Sequence, residues 1–290
     1  VNRISASPYG DLHIYYLKGR VAEDQALAVE SFIGNWQEEE DAFLFFHRPD
    51  DEAVAALVGR QPHLTVIDRF RMSYAEWHGG TIGPLTIGSL TIVPPWFSGA
   101  AHAPNPILLD PGVVFGTGTH PTTRHCLTAL QSAFARQPIS TVLDVGTGTG
   151  LLAIAAAQLG ARRVAALDLN RLAVATAKRN VDLNAMAARI LVLQGNAKNF
   201  IDLSCDLMVS NIHYAVMREL VQAPAFVRHR QFILSGLLRS QAREIELLLH
   251  RRASTILNRW SQEDIWFTIW GQNAQLGVDV PSGHKDGSGK

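Results

Sequence analysis

Apolar residues fall into two rhythms along this chain. Up to residue 79 they come in short, unevenly alternating runs. DLHIYYLKG (11–19) predicts a strand and EDQALAVESF (23–32) a short helix. DAFLFFHRP (41–49) predicts a second apolar strand after an acidic turn. DDEAVAALVGR (50–60) opens on an acid cap and carries apolar residues at helical spacing, and HLTVIDRF (63–70) closes the unit as a strand. Strand, helix, strand, helix, strand is the ferredoxin-like order. From residue 107 the rhythm changes to strands alternating with helices. TVLDVG, RVAALD, RILVLQG, CDLMVSN and QFILSG read as strands; LAVATAKRNVDLN, AVMRELVQAPAFV and RSQAREIELLLH read as helices between them. STILNRW and EDIWFTIWG then follow as two strands without an intervening helix. Alternation implies a parallel sheet, and the final pair implies one antiparallel strand at its end.

Between the two rhythms lies GGTIGPLTIGSLTIVPPWFSGAAHAPNP, rich in Gly and Pro, which predicts a linker with a small hairpin. The expected organisation is therefore a ferredoxin-like α+β domain over 1–78 and a linker over 79–106. An α/β domain, Rossmann-like with a mostly parallel sheet, follows over 107–276, and a polar, disordered tail over 277–290.

Composition adds bounds. Hydrophobic residues make up 47% of 290, so a sizeable core is within reach. No run of 18 apolar residues predicts a membrane span, and the first residues show no charged-then-apolar leader pattern. Cys126 and Cys205 are the only cysteines, too few for a disulfide scaffold and in keeping with a reducing cytoplasm. Both are expected to be buried small hydrophobes. The 26 basic and 26 acidic residues are unevenly spread, with 7 basic against 13 acidic in residues 1–79. Such a region can steer a basic partner or simply form solvated loops. Only 5 of the basic residues are lysine and no basic stripe interleaves with aromatics, which argues against direct nucleic-acid binding. His120 and His125 lack both a helical ligand spacing and a third ligand, so no metal is expected.

The chemistry concentrates in TVLDVGTGTGLLAIAAAQLGARRVAALDLN (141–170). A strand ends in Asp144, a turn follows with Gly146, Gly148 and Gly150, then a helix and a second strand ending in Asp168. Asp168 suits ribose hydroxyls. Asp144 sits two residues before the first glycine. An acid there would repel a pyrophosphate and suits a ligand with a cationic amine, which favours S-adenosylmethionine over a dinucleotide. Both acids can also be plain caps of the turn or helix that follows them. Upstream, LLDPGVVFGTGTHPTTRHCLTAL (108–130) brings Phe115, Gly116 and Thr117 into a loop able to close over a ligand, with Thr122 or Thr123 as the expected cap of the next helix.

DPGVVFGTGTHPTT, the glycine turn, the strand ending in SNI and the later ILSGLLRSQA, in that order over residues 107–245, resemble the ribosomal-protein lysine methyltransferase family that modifies protein eleven of the large subunit. The resemblance implies a class I methyltransferase fold with a seven-stranded sheet, and a ferredoxin-like substrate-recognition domain before it. It implies S-adenosylmethionine as cofactor and a basic ribosomal protein as partner, in the cytoplasm; the chain is expected to act as a monomer. Carried over by position, cofactor contacts fall on Thr123, Gly146, Asp168 and Asn211, with Asp144 and Gly148 in the same turn and Phe115, Gly116 and Thr117 in the loop over the methionine moiety. Asn196, after the third strand, is the position of a polar contact to adenine. The family follows Asn-Ile with small or apolar residues, whereas His213 and Tyr214 stand here. Asn211 would orient the target amine. His213 would accept its proton, as an imidazole can near neutral pH, or line the channel rim. Tyr214 would stack on the target's aliphatic stem or pack under the following helix. Other substrates, a different protein lysine or a small amine, and a non-catalytic binding module are the alternatives.

Overall fold

The computed structural model describes residues 7–22, 27–98 and 105–274. β1 (Asp11–Lys18) is buried on both faces: Tyr15 and Leu17 enter one core, Leu12 and Ile14 another. The helix expected over 23–32 is not found: residues 23–26 lie outside the described ones, residues 28–31 are irregular, and Phe32 opens a strand, β2 (Phe32–Glu38). Cross-strand packing overrides helical spacing there, since Phe32 pairs with Phe46 with ring centroids 5.3 Å apart. A two-residue turn, with Glu39 at φ 50°, returns the chain into β3 (Asp41–Phe46). α1 (Asp51–Arg60) is capped by Asp50, which accepts from the Ala53 amide, and β4 (Thr65–Ser73) and the one-turn α2 (Tyr74–Trp77) follow. The strand order β2-β3-β1-β4, antiparallel throughout, is ferredoxin-like, and Val54 and Leu57 of α1 cover one face.

The hairpin predicted in the Gly/Pro-rich segment forms from β5 (Leu85–Ile87) and β6 (Leu90–Val93), joined in parallel to β7 (Ile107–Leu108). It is no loose tether. Leu90, Ile92 and Ile107 belong to the same core as α3 (Pro121–Arg136), and Gln131 of α3 accepts from the Ser89 amide at 2.7 Å while donating to the Ile87 carbonyl at 3.0 Å.

The remaining elements are β8 (Thr141–Val145), α4 (Leu151–Gln158), β9 (Arg163–Asp168), α5 (Arg171–Leu183), β10 (Ile190–Gln194), β11 (Leu207–Asn211), α6 (Tyr214–Gln222), β12 (Gln231–Leu238), α7 (Arg239–Arg251), β13 (Thr255–Gln262) and β14 (Trp266–Gln272). They form a seven-stranded sheet ordered β10-β9-β8-β11-β12-β14-β13. The antiparallel strand is β14, and it lies not at the edge but between β12 and β13. Its residues Phe267, Ile269 and Trp270 are buried, whereas β13 is largely exposed, so the more apolar strand takes the interior position. The chain order reverses between β8 and β11, the switch point at which open α/β sheets bind ligands beyond their carboxyl ends.

The two units share a core of Leu12, Ile14, Phe45, Tyr74, Val113, Val114 and Leu172, with Trp96 packed against it. At Gly34 a Cβ would run into the Leu172 side chain, so the glycine lets Leu172 of α5 pack directly on β2. Among the described residues no helix is long and apolar enough to cross a membrane.

Candidate functional site

Asp144, the fourth residue of β8, has no exposed surface. Its Oδ2 accepts from the Thr147 hydroxyl at 2.6 Å, and its Oδ1 has no hydrogen-bond partner. Burial pushes its pKa up to about 7, against the smaller pull of the Thr147 hydroxyl. Asp168, at the tip of the adjacent β9, accepts from the Gly148 amide at 3.0 Å and the Asn170 amide at 2.9 Å. Burial raises its pKa too, and those two amides offset part of the rise. Two carboxylates thus flank one turn, Asp144 beneath it and Asp168 bound to its backbone. The expected helix cap after β9 is Asn170 rather than Asp168.

The turn itself is crowded by the protein. A Cβ at Gly146 would clash with the Ile212 side chain, and one at Gly148 would clash with the Phe115 carbonyl oxygen. The Phe115 and Gly116 carbonyls are gripped by Thr149, through its amide (3.2 Å) and hydroxyl (2.7 Å). The FGTGT loop therefore lies against the glycine turn, and Phe115 leaves half its surface exposed. Thr117 bonds Thr119 within the same loop.

Asn211 ends β11. Its amide nitrogen donates to Thr122 Oγ1 at 3.3 Å and, at the limit of a bond, to Thr123 Oγ1 at 3.5 Å. Both threonines are buried, and neither caps α3: His120 does, accepting from the Thr122 amide, with Pro121 as the first helical residue. With its nitrogen engaged, Asn211 keeps its Oδ1 unbonded among the described residues. Gly236, at φ 88°, lies against that oxygen: a Cβ there would be 3.1 Å from Asn211 Oδ1 and 3.0 Å from the Ile212 carbonyl. His213 is exposed at the start of α6. Tyr214 is the first residue of α6, partly buried against the core, and burial and the hydrogen bond it donates to Glu244 of α7 raise its pKa. Asn196 caps the short 3-10 turn 197–199 through the Lys198 amide.

The structure thus brings Thr123, Asp144, Gly146, Gly148, Asp168 and Asn211 to one sheet end, with Phe115, Gly116 and Thr117 over it. Gly236, His120 and Thr149 also shape the site and were not anticipated; the Ser-Gly after an apolar strand was the one signal for Gly236. Cys205 departs from expectation as well. Its sulfur lies 3.2 Å from His229 Nδ1, a residue 24 positions away in sequence. Burial drives the thiol up to about 12 and the imidazole down to about 4, which favours the neutral form of both. No group of three metal-ligating side chains occurs among the described residues.

Residues 34–274 match the family model described as ribosomal protein L11 methyltransferase. Among curated proteins, the chain is similar to the ribosomal protein L11 methyltransferases of Anoxybacillus flavithermus (41% identity over 178 residues, 60% of this chain and 56% of that protein) and Enterococcus faecalis (39% over 184 residues, 62% and 58%). The chain thus spans less than two thirds of the length of these relatives. Among solved structures, it is similar to the ribosomal protein L11 methylase of Lactobacillus delbrueckii, with a TM-score of 0.59 and 30% identity over 67% of this chain and all of that one.

Proposed function

The chain belongs to the ribosomal protein L11 methyltransferase family, and we propose that it transfers methyl groups from S-adenosylmethionine to amino groups of ribosomal protein L11, lysine side chains foremost. The observation that carries this reading is the pair of carboxylates flanking one glycine turn at the switch point, one of them with a buried, unpartnered oxygen. That donor set suits a cationic nucleoside and would repel a pyrophosphate.

Bound there, S-adenosylmethionine supplies a methyl group already made electrophilic by its sulfonium. The protein's own work is then binding, alignment and proton removal. Asp168 retains lone pairs beyond its two amide bonds and would accept from the ribose hydroxyls. Asp144 would act from beneath the turn, through charge, on the cationic end of the cofactor. Gly146 and Gly148 let Ile212 and the Phe115 carbonyl close directly on the turn, and the Phe115–Thr117 loop would exclude water. Thr122 and Thr123 fix the Asn211 amide by its nitrogen, so Oδ1 would accept from the target amine and aim its lone pair. Holding the target amine in one orientation is where positioning would contribute most. A lysine amine, with a pKa near about 10.4, must first lose a proton. Exposed His213, two residues past Asn211, would accept it. The acidic N-terminal unit would attract the basic target, with residues 1–78 as recognition unit and 107–276 as catalytic unit.

Calorimetric titration with S-adenosylmethionine, together with transfer of labelled methyl into purified L11, tests the reading. The full chain binds the cofactor and labels L11. Asp168→Asn lowers cofactor affinity by at least about tenfold, as loss of a charged hydrogen-bond acceptor does. Cofactor binding that is absent, or indifferent to this change, refutes it.

A further inference from the structure

Between the N-terminal sheet and the 113–121 loop lies a cleft of about 920 Å³, large enough for a peptide segment rather than one side chain. Its floor is unusually aromatic. Strand alternation puts Trp36 of β2, Phe43 and Phe45 of β3 and Phe70 of β4 on one face, and Trp77 of α2 closes the side. Phe45 and Trp77 meet edge to face, at 72° and 5.1 Å between centroids, making a corner of two ring systems. One carboxylate, Glu38, stands in this lining. Among the described residues no cation pairs with it, and Lys18, the base at that end of the sheet, is taken by Asp41 at 3.1 Å.

Aromatic faces attract cations, and they favour weakly hydrated ones, in which methyl groups replace N–H donors. A bare lysine ammonium needs several acceptors, whereas the floor offers rings and one carboxylate; on the facing wall the Thr117 and Thr119 hydroxyls bond each other, and His120 and His78 are engaged by Thr122 and the Gly112 carbonyl. The opposite wall is the loop that covers the glycine turn, so an occupant of the cleft sits beside the transfer site and outside it. Resting on the function proposed above, we infer that the cleft holds a lysine side chain of the target that already carries methyl groups, retaining the target while a neighbouring amine is modified.

Calorimetric titration of the full chain with N-acetyl-trimethyllysine amide tests this, beside unmethylated N-acetyl-lysine amide and the neutral analogue with carbon in place of the quaternary nitrogen. The trimethylated ligand binds about tenfold more tightly than either, in the range cation–aromatic contacts supply. Glu38→Gln weakens it about fivefold and leaves the neutral analogue unchanged; Trp77→Leu abolishes the preference for charge. Equal binding of the three ligands, or no binding of the trimethylated one, overturns the inference, and Glu38→Gln alone decides it if Trp77→Leu does not fold. A parallel titration with S-adenosylmethionine keeps the two ideas separate. Failure there with the cation preference intact overturns the methyltransferase reading and leaves the cleft's chemistry standing.

Discussion

Asp144→Asn is the most informative perturbation of the site. The folded carboxyl titrates near about 7, against 3.8 for the free group, because it is fully buried. Between those two values the unfolded chain has lost the proton and the folded chain has kept it. The unfolded state binds fewer protons, so stability falls as pH rises, by about 1.4 kcal/mol per pH unit. The whole window amounts to about 4 kcal/mol, and the part between pH 5 and 7 to about 3 kcal/mol. Asparagine cannot titrate, and its amide oxygen can still accept from Thr147. Its NH2 group is left without a partner where Oδ1 was, which costs about 1–3 kcal/mol at every pH. The readout is therefore not which protein is more stable but how the gap changes. Urea unfolding at pH 5 and pH 8 should show the gap shifting by about 3 kcal/mol in favour of Asn at the higher pH. A gap of the same size at both values refutes the buried-acid account. The cofactor adds a second arm. A cation above the turn selects the ionised carboxyl, so binding at pH 6 releases a proton and strengthens as pH rises toward 7. In calorimetry the heat then depends on the buffer, and Asp144→Asn removes that dependence.

Gly236→Ala forces φ 88° on a residue with a Cβ and crowds the Ile212 carbonyl and Asn211 Oδ1. The expected cost is about 1–3 kcal/mol of stability, with methyl transfer reduced more than cofactor affinity; thermal unfolding beside a transfer assay measures both. Replacing His213 by Ala should change both the rate of methyl transfer and the shape of its pH profile. An unaltered profile would leave His213 as a rim residue.

The parallel core of the catalytic half was readable because its strands are short apolar runs ending in chemistry-bearing residues. Asp144, Asp168 and Asn211 mark three strand ends in the sequence itself. What stayed hidden depends on partners distant in sequence. Phe32 looks helical by spacing until Phe46 is seen across from it. β14 cannot be placed between β12 and β13 from its order in the chain. α3 begins at Pro121, so His120 is its cap and Thr122 and Thr123 fall inside the helix, where their hydroxyls face Asn211, a residue almost ninety positions away. Cys205 gains a histidine neighbour by the same route. Spacing reports what a residue can do locally, and these residues spend their polar groups elsewhere.

The fit of Leu172 into the place left by the missing side chain of Gly34 ties the front of the chain to the back like a key in its lock. Chimeras that borrow the first sheet for another catalytic half must carry both residues across together. A graft that puts a side chain at Gly34 and keeps Leu172 would force that leucine out of its place and loosen the seat of the first sheet on α5.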